Sequence, residues 1–165
     1  MSATILSGEA AAMFLLERRD AVDAFAGEGL GKEAYDITGE LERPYAIVWA
    51  AAEGADALGF LLAAKAADEL HVIDVVVAET ARRRGIGRAL VDAATRDAAS
   101  QSFRLALLEV RRSNLAAIRL YRQAGFVGVR VRPKYYDSGE DGIEMAKEIA
   151  PGALAEFERL REEDW

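Results

Sequence analysis

The segment Arg82-Arg83-Arg84-Gly85-Ile86-Gly87-Arg88 packs four arginines and two glycines into seven residues. Glycines let a backbone approach a ligand closely, and the N–H groups of a first helical turn attract anions. Arginines add charge-assisted hydrogen bonds. Phosphate binding suits these letters, although an ordinary glycine turn fits them too, and the spacing is not the Gly-x-Gly-x-x-Gly of a dinucleotide fold. Further on, Leu108-Glu109-Val110-Arg111-Arg112-Ser113-Asn114 sets Glu109 at the C-terminal end of an apolar strand. That is an odd place for a charge and a common place for function in α/β sheets; a salt bridge to Arg111 or Arg104 is the plainer alternative. Tyr121 follows Ser113 by eight residues, a little over two helical turns, so it lies over a cleft or packs in the core with a satisfied hydroxyl. Tyr135 and Tyr136 offer stiff contact surface that suits the wall of a peptide groove or plain loop packing. His71 reads as a structural or surface residue. Asp74, just before the valine run Val75-Val76-Val77, either meets substrate or serves strand pairing or a turn.

Composition narrows the chemistry. The chain has no cysteine, which excludes disulfides, thiolate metal sites and a sulfur nucleophile. One histidine leaves little for a zinc site or a Ser-His-Asp triad, and no metal is expected. A content of 52% apolar and 30% charged residues describes a folded chain, not a disordered one. The net charge of −7 hides a division: twelve arginines against three acids between Arg82 and Arg132 give +9, so the remainder carries −16. A basic middle in an acidic protein argues against direct nucleic-acid binding and suits one compact polyanion. About half of those arginines are expected on solvated helix faces. The longest apolar runs, Tyr45 to Ala52 and Ala57 to Ala64, are too short to cross a bilayer, and residues 10–16 lack the flanks of a secretory signal. The expectation is a cytoplasmic protein with no membrane attachment.

The elements that would position these residues follow from hydrophobic periodicity. At 165 residues, and with no repeat or linker, one domain over 1–150 is expected, followed by a charged helix or tail over 151–165 that frays at Trp165. A short strand at Thr4 to Leu6 precedes a helix from about Glu9 to Phe25. Gly27-Glu28-Gly29-Leu30-Gly31 reads as a flexible break before a second helix near Lys32 to Leu41. Strands follow at Pro44 to Ala52, Ala57 to Lys65 and Glu69 to Ala78, the first two forming a hairpin about Glu53-Gly54-Ala55-Asp56. A helix over Gly85 to Ser100 carries Ile86, Leu90, Val91, Ala94 and Ala98 on one stripe. A buried strand spans Phe103 to Val110, and Ser113 is a fitting N-cap for a helix from Asn114 to Ala124. Strands at Phe126 to Arg132 and Ile143 to Ile149 flank the Pro133 to Gly142 connection, whose acidic residues Asp137, Glu140 and Asp141 read, with Glu144, as a solvated hairpin or as a face for a basic peptide. The order is that of an α/β protein with a mixed sheet, in which the strands at 69–78 and 103–110 run parallel.

The two segments together, Arg82-x-x-Gly85-x-Gly87 and Asn114-x-x-Ala117-x-x-Leu120-Tyr121-x-x-x-Gly125-Phe126, resemble the GNAT superfamily of acetyl-CoA-dependent N-acetyltransferases. Leu-Glu-Val-Arg-x-Ser-Asn at 108–114, with Tyr135-Tyr136 and Glu140-Asp141-Gly142-Ile143-Glu144-Met145-Ala146, is similar to the RimI-like ribosomal-protein alanine N-acetyltransferases. The resemblance runs from about Leu58 to Ile149. It implies a GNAT-like mixed sheet with a central splayed parallel strand pair and flanking helices. It also implies that the backbone of Val75, Val76 and Val77 pairs with the pantetheine arm of acetyl-CoA. The loop N–H groups of Arg83, Arg84, Gly85, Ile86, Gly87 and Arg88 would hold the pyrophosphate, and Asn114 would bond the pantetheine arm. Glu109 matches the family's proton acceptor and Tyr121 its proton donor, and Tyr135 and Tyr136 would contact the acceptor peptide. Two departures stand out: Ala78-Glu79-Thr80-Ala81 where the family often carries a proline, and Phe25 to Gly31 where it usually has a Pro/Trp-containing loop.

The implied activity is acetylation of the N-terminal amine of a protein, a ribosomal one by the narrower resemblance, through direct transfer in a ternary complex. The alternatives are a small-molecule amine or lysine side chain as acceptor, or a catalytically silent CoA-binding module. An α-amine, with a pKa of about 7.7–8.0, needs only a modest base, whereas lysine at about 10.4 needs a stronger one.

Overall fold

The computed structural model describes residues 2–163. The chain runs β1 (Thr4–Ser7), α1 (Gly8–Leu16), α2 (Arg19–Leu30), α3 (Ile37–Leu41), β2 (Ala46–Glu53), β3 (Asp56–Ala66), β4 (Glu69–Val77), α4 (Ile86–Ser100), β5 (Leu105–Arg111), α5 (Leu115–Gln123), β6 (Val127–Arg132), β7 (Gly142–Glu148) and α6 (Ala153–Glu163). The strands order as β1-β2-β3-β4-β5-β7-β6 in one mixed sheet. β4 and β5 are the parallel pair, in register through Glu69↔Leu105, Leu70↔Ala106 and His71↔Leu107. Among the described residues no helix is long and apolar enough to cross a membrane. Internal contacts divide the chain into two units, residues 1–65 with 73–94, and residues 66–72 with 95–165.

In the first unit, helices α1 to α3 cover one face of the strands. Ala11, Leu15, Val22, Ala26 and Ile37 pack on Val48, Ala50, Phe60, Leu62 and Val76, and Tyr35 closes the cluster. Residues two apart on a strand share a face, which is why Val48 and Ala50, and Phe60 and Leu62, point the same way. The expected break at Gly27 to Gly31 is a helix instead. α2 continues through Gly27 and Gly29 to Leu30 and stops at Gly31, whose φ of +65° is the left-handed cap a glycine accepts without strain. The glycines serve close packing: a Cβ on Gly29 would stand 3.1 Å from Val76 Cγ1, and one on Gly27 3.2 Å from the Lys32 carbonyl. The interruption falls earlier, at Glu17 and Arg18. There the Arg18 guanidinium donates to the carbonyls of Phe14 and Ala55. The second short helix shrinks to Ile37–Leu41, its first N–H donating to Asp23 Oδ1 at 2.8 Å.

In the second unit, β5, β7 and β6 form an antiparallel set, with Leu107↔Ala146 and Glu109↔Glu144 paired across the first ladder. Leu105, Leu107 and Ala146 make a small core that Leu154 and Phe157 of α6 cover. The N-terminal residue of α5 is capped by Asn114, not Ser113. The Asn114 Oδ1 accepts the Ala117 N–H at 3.1 Å, while the Ser113 hydroxyl bonds Glu140. The terminal helix starts at Ala153, two residues after Pro151. The fraying expected at Trp165 lies outside the described residues.

Candidate active site

The glycine loop belongs to the first unit. Beyond β4 the chain makes a 3-10 turn at Glu79–Ala81 and then two left-handed residues, Arg83 at φ +65° and Gly85 at φ +76°, before α4 begins at Ile86. Alternating left-handed residues turn successive N–H groups toward one side and make an anion-binding concavity. The N-terminus of a fifteen-residue helix adds its dipole at the same place. Ile86 is buried and anchors the helix start, while Arg83, Arg84, Gly85 and Arg88 are exposed and Gly87 is half-buried. Two of the arginine side chains are already engaged. Arg84 is hydrogen-bonded to Glu53, a contact that holds the Glu53 carboxyl below its ordinary range. Arg88 bonds both oxygens of Asp92 at 3.0 Å. Among the described residues, that leaves the loop's backbone N–H groups, Arg83, and Arg82, whose Nε donates to the Val77 carbonyl, to face an anion.

Val75, Val76 and Val77 end β4. Val76 is a core residue, while Val75 and Val77 are half-exposed and the Val77 carbonyl accepts from Arg82 at 3.3 Å. Asp74 accepts the Tyr35 hydroxyl at 2.9 Å, and burial, with Asp74 beside it, pushes the Tyr35 phenol well above its usual range. Asp74 thus ties the segment before α3 to β4, a contact that no motif in the sequence signals.

The second unit holds the other candidates. Glu109 lies near the end of β5, half-buried, and its ion-pair partner is Arg132 at 4.0 Å rather than Arg111 or Arg104. Arg111 pairs with Glu140, and Arg104 with Asp68 and Glu156. Tyr121 is half-buried in α5 with its ring edge-on to Phe126, the centroids 5.9 Å apart. Asn114 is exposed, with Oδ1 used in capping α5. Tyr135 and Tyr136 meet edge to face at 5.1 Å, and Arg111 lies 4.1 Å over the Tyr136 ring. Burial keeps the Tyr136 phenol above its ordinary value, against the pull of Arg111, so the hydroxyl stays neutral and able to donate. A Cβ on Gly142 would sit 3.0 Å from the Tyr135 ring, so glycine there leaves room for the tyrosine.

Of the acidic residues expected in a solvated hairpin, Asp137 is exposed, but the other three are engaged. Glu140 takes the Ser113 hydroxyl on both oxygens, and Asp141 pairs with Arg112 and accepts the Lys134 N–H. Glu144 is buried among three arginines. These contacts latch the tyrosine segment to the β5–α5 corner. The signal for Glu144 was the one that singled out Glu109: a charge inside an apolar strand pattern. His71 lies 3.8 Å from Glu69. Among the described residues no group of three His, Asp or Glu side chains is placed to hold a metal.

The acetyltransferase (GNAT) family model matches residues 12–126, well over half of the chain, and the protein belongs to that family. An N-alpha-acetyltransferase of Sulfurisphaera tokodaii is 44% identical over 78 residues, 46% of each chain. The [ribosomal protein bS18]-alanine N-acetyltransferase of Escherichia coli is 37% identical over 86 residues, 50% of this chain and 58% of that one. The chain thus spans about half the length of the curated relatives it matches. The crystal structure of the Escherichia coli S18-alanine enzyme superposes with a TM-score of 0.75 at 25% identity, covering 90% of this chain and 95% of that one. A Bacillus subtilis acetyltransferase, solved in complex with CoA, has the same fold, with a TM-score of 0.72 at 17% identity over 89% of this chain and 99% of that one.

Proposed function

We propose that the protein transfers the acetyl group of acetyl-CoA to the N-terminal α-amine of a protein, with a ribosomal protein as the leading acceptor. The observation that carries this reading is Glu109, a half-buried carboxylate in β5 inside the Leu-Glu-Val-Arg-x-Ser-Asn segment, held by a single ion pair. The matches to N-alpha-acetyltransferases and to ribosomal-protein alanine N-acetyltransferases support the same acceptor class.

In this reading the amine nitrogen attacks the thioester carbonyl, an oxyanion forms, and the C–S bond breaks as the amide forms. Glu109 takes the proton the amine loses, directly or through one water, and Tyr121 gives its proton to the departing thiolate. The loop from Arg83 to Arg88 holds the pyrophosphate by backbone N–H groups, the valine backbone of β4 and Asn114 hold the pantetheine arm, and Tyr135 and Tyr136 contact the acceptor. The acidity of the amine favours a chain terminus. Lysine lies about 2.5 pKa units further from neutrality than an α-amine, roughly 3.5 kcal/mol for a weak base to meet.

The test is an initial-rate screen of thiol release over short peptides with free termini, α-blocked peptides containing lysine, and polyamines, with intact-mass and fragment analysis of the products. Peptides with a small free N-terminal residue are expected to be acetylated at that residue. Acetylation of an α-blocked peptide on lysine at the same rate makes the protein a side-chain acetyltransferase. Binding of acetyl-CoA with no turnover on any amine makes it a silent module.

A further inference from the structure

Glu144 is 4% exposed in the middle of β7, and no step of the proposed transfer uses it. It stands directly across the β5–β7 ladder from Glu109. Like charges opposite one another on neighbouring strands repel, and a buried carboxylate needs partners. Arg130 and Arg132 reach Glu144 Oε2 at 3.2 and 3.1 Å, and Arg161 of α6 lies 3.5 Å from Oε1. Arg130 and Arg161 alone already outnumber the one buried charge. Arg132 is surplus there, and its Nη2 lies 4.0 Å from Glu109 Oε1. Its guanidinium also lies 5.1 Å from the centre of the Tyr135 ring.

We propose that Arg132, anchored by the buried Glu144, is the positioning residue that fixes the Glu109 carboxylate for proton transfer. An arginine at the end of β6, the last strand of the sheet order, has a long side chain with several free torsions. A hydrogen bond to a buried carboxylate removes most of that freedom, and the Nη2 that makes it is the same atom that lies nearest Glu109. Glu144 thereby supplies rigidity, Arg132 transmits it, and Glu109 keeps one ion pair at a distance longer than a hydrogen bond. The inference rests on Glu109 being the proton acceptor.

The experiment is a double-mutant cycle on the full chain, with acetyl-CoA and the free-terminus peptide that wild type acetylates fastest, and a melting curve for each variant. Arg132→Met is expected to lower kcat roughly tenfold with KM for acetyl-CoA unchanged, and to add little on top of Glu109→Gln. Arg132→Lys keeps the charge, but its ammonium ends about one bond short of Nη2, the atom that reaches both carboxylates. It is expected to melt with wild type and lose kcat about threefold. Equal losses from Arg132→Met with and without Glu109→Gln overturn the proposal. So does wild-type kcat in the lysine variant, which decides the matter alone if the methionine variant does not fold. Wild-type turnover by Glu109→Gln is a separate result: it removes Glu109 as proton acceptor and so defeats the reading beneath.

Discussion

A carboxylate inside an apolar strand is costly unless it is paired or reaches water, and the second unit contains one of each. Glu144, with three arginines around it, is neutralised. Glu109 keeps one distant partner and remains half-exposed, which leaves an oxygen able to take a proton. Glu109→Gln is therefore expected to lose turnover at neutral pH and recover part of it as pH rises, because the acceptor amine then deprotonates unaided. Initial rates across the pH range decide this, and pH profiles of identical shape for the two proteins would leave Glu109 an ion-pair residue. Tyr121→Phe keeps the ring contact with Phe126 and removes only the hydroxyl. It should lower kcat roughly 10²-fold or more with acetyl-CoA affinity retained, the usual scale for a lost general acid. Calorimetry and steady-state rates on one preparation separate the two effects. Both residues stood out in the sequence by type and spacing. Arg132 did not, and Glu144 carried the signal of a strand charge without its meaning, because that meaning lies in the ladder register that sets Glu144 opposite Glu109, and strand partners distant in sequence are not written in local pattern.

At the scale of elements, alternation and helical periodicity located every strand and the helices α4, α5 and α6 to within a few residues. At residues 27–31 glycine is a spacer and not the helix breaker that local composition suggests. Gly29 admits Val76 and Arg82 against α2, and Gly59 does the same for β3. A Cβ on Gly59 would stand 2.5 Å from the Val76 carbonyl, backbone that cannot yield cheaply. Gly59→Ala is expected to destabilise the fold by about 1–3 kcal/mol, the range of an overpacked interior. A urea titration measures it, and an unchanged midpoint would mean that β3 and β4 tolerate a wider spacing. The start of α4 makes a different prediction. If its N–H groups hold the pyrophosphate, Gly87→Glu weakens acetyl-CoA binding by bulk and repulsion. Arg96→Ala, an exposed position later on the same helix, leaves binding as it was. Unchanged affinity in Gly87→Glu removes the loop from the cofactor site.

Over the whole molecule, folding undoes the charge division that the sequence displays. The arginines of the basic middle find carboxylates mostly from outside it: Arg84 meets Glu53, Arg104 meets Asp68 and Glu156, Arg111 meets Glu140, Arg112 meets Asp141, and Arg130 and Arg132 meet Glu144. Arg88 and Arg96 pair along their own helix with Asp92 and Asp97. Among the described residues, Arg83 is exposed beside the α4 N-terminus and makes no ion pair with a carboxylate. A surface that neutralises many phosphates with free cations loses about 10³-fold or more in affinity between about 50 and 200 mM salt. A site built on backbone N–H groups and two arginines without carboxylate partners, Arg82 and Arg83, should lose far less, about tenfold over the same range, since oriented dipoles are satisfied by direct hydrogen bonds. Arg83→Gly sharpens the test. It removes the charge at a position whose positive φ suits glycine, so the loop keeps its shape while the remaining salt dependence flattens. Calorimetric titration of acetyl-CoA into both proteins at the two salt concentrations gives the answer. A thousandfold loss in wild type would mean that the paired arginines open to bind the cofactor, and that the sequence's charge division persists where the ligand meets it.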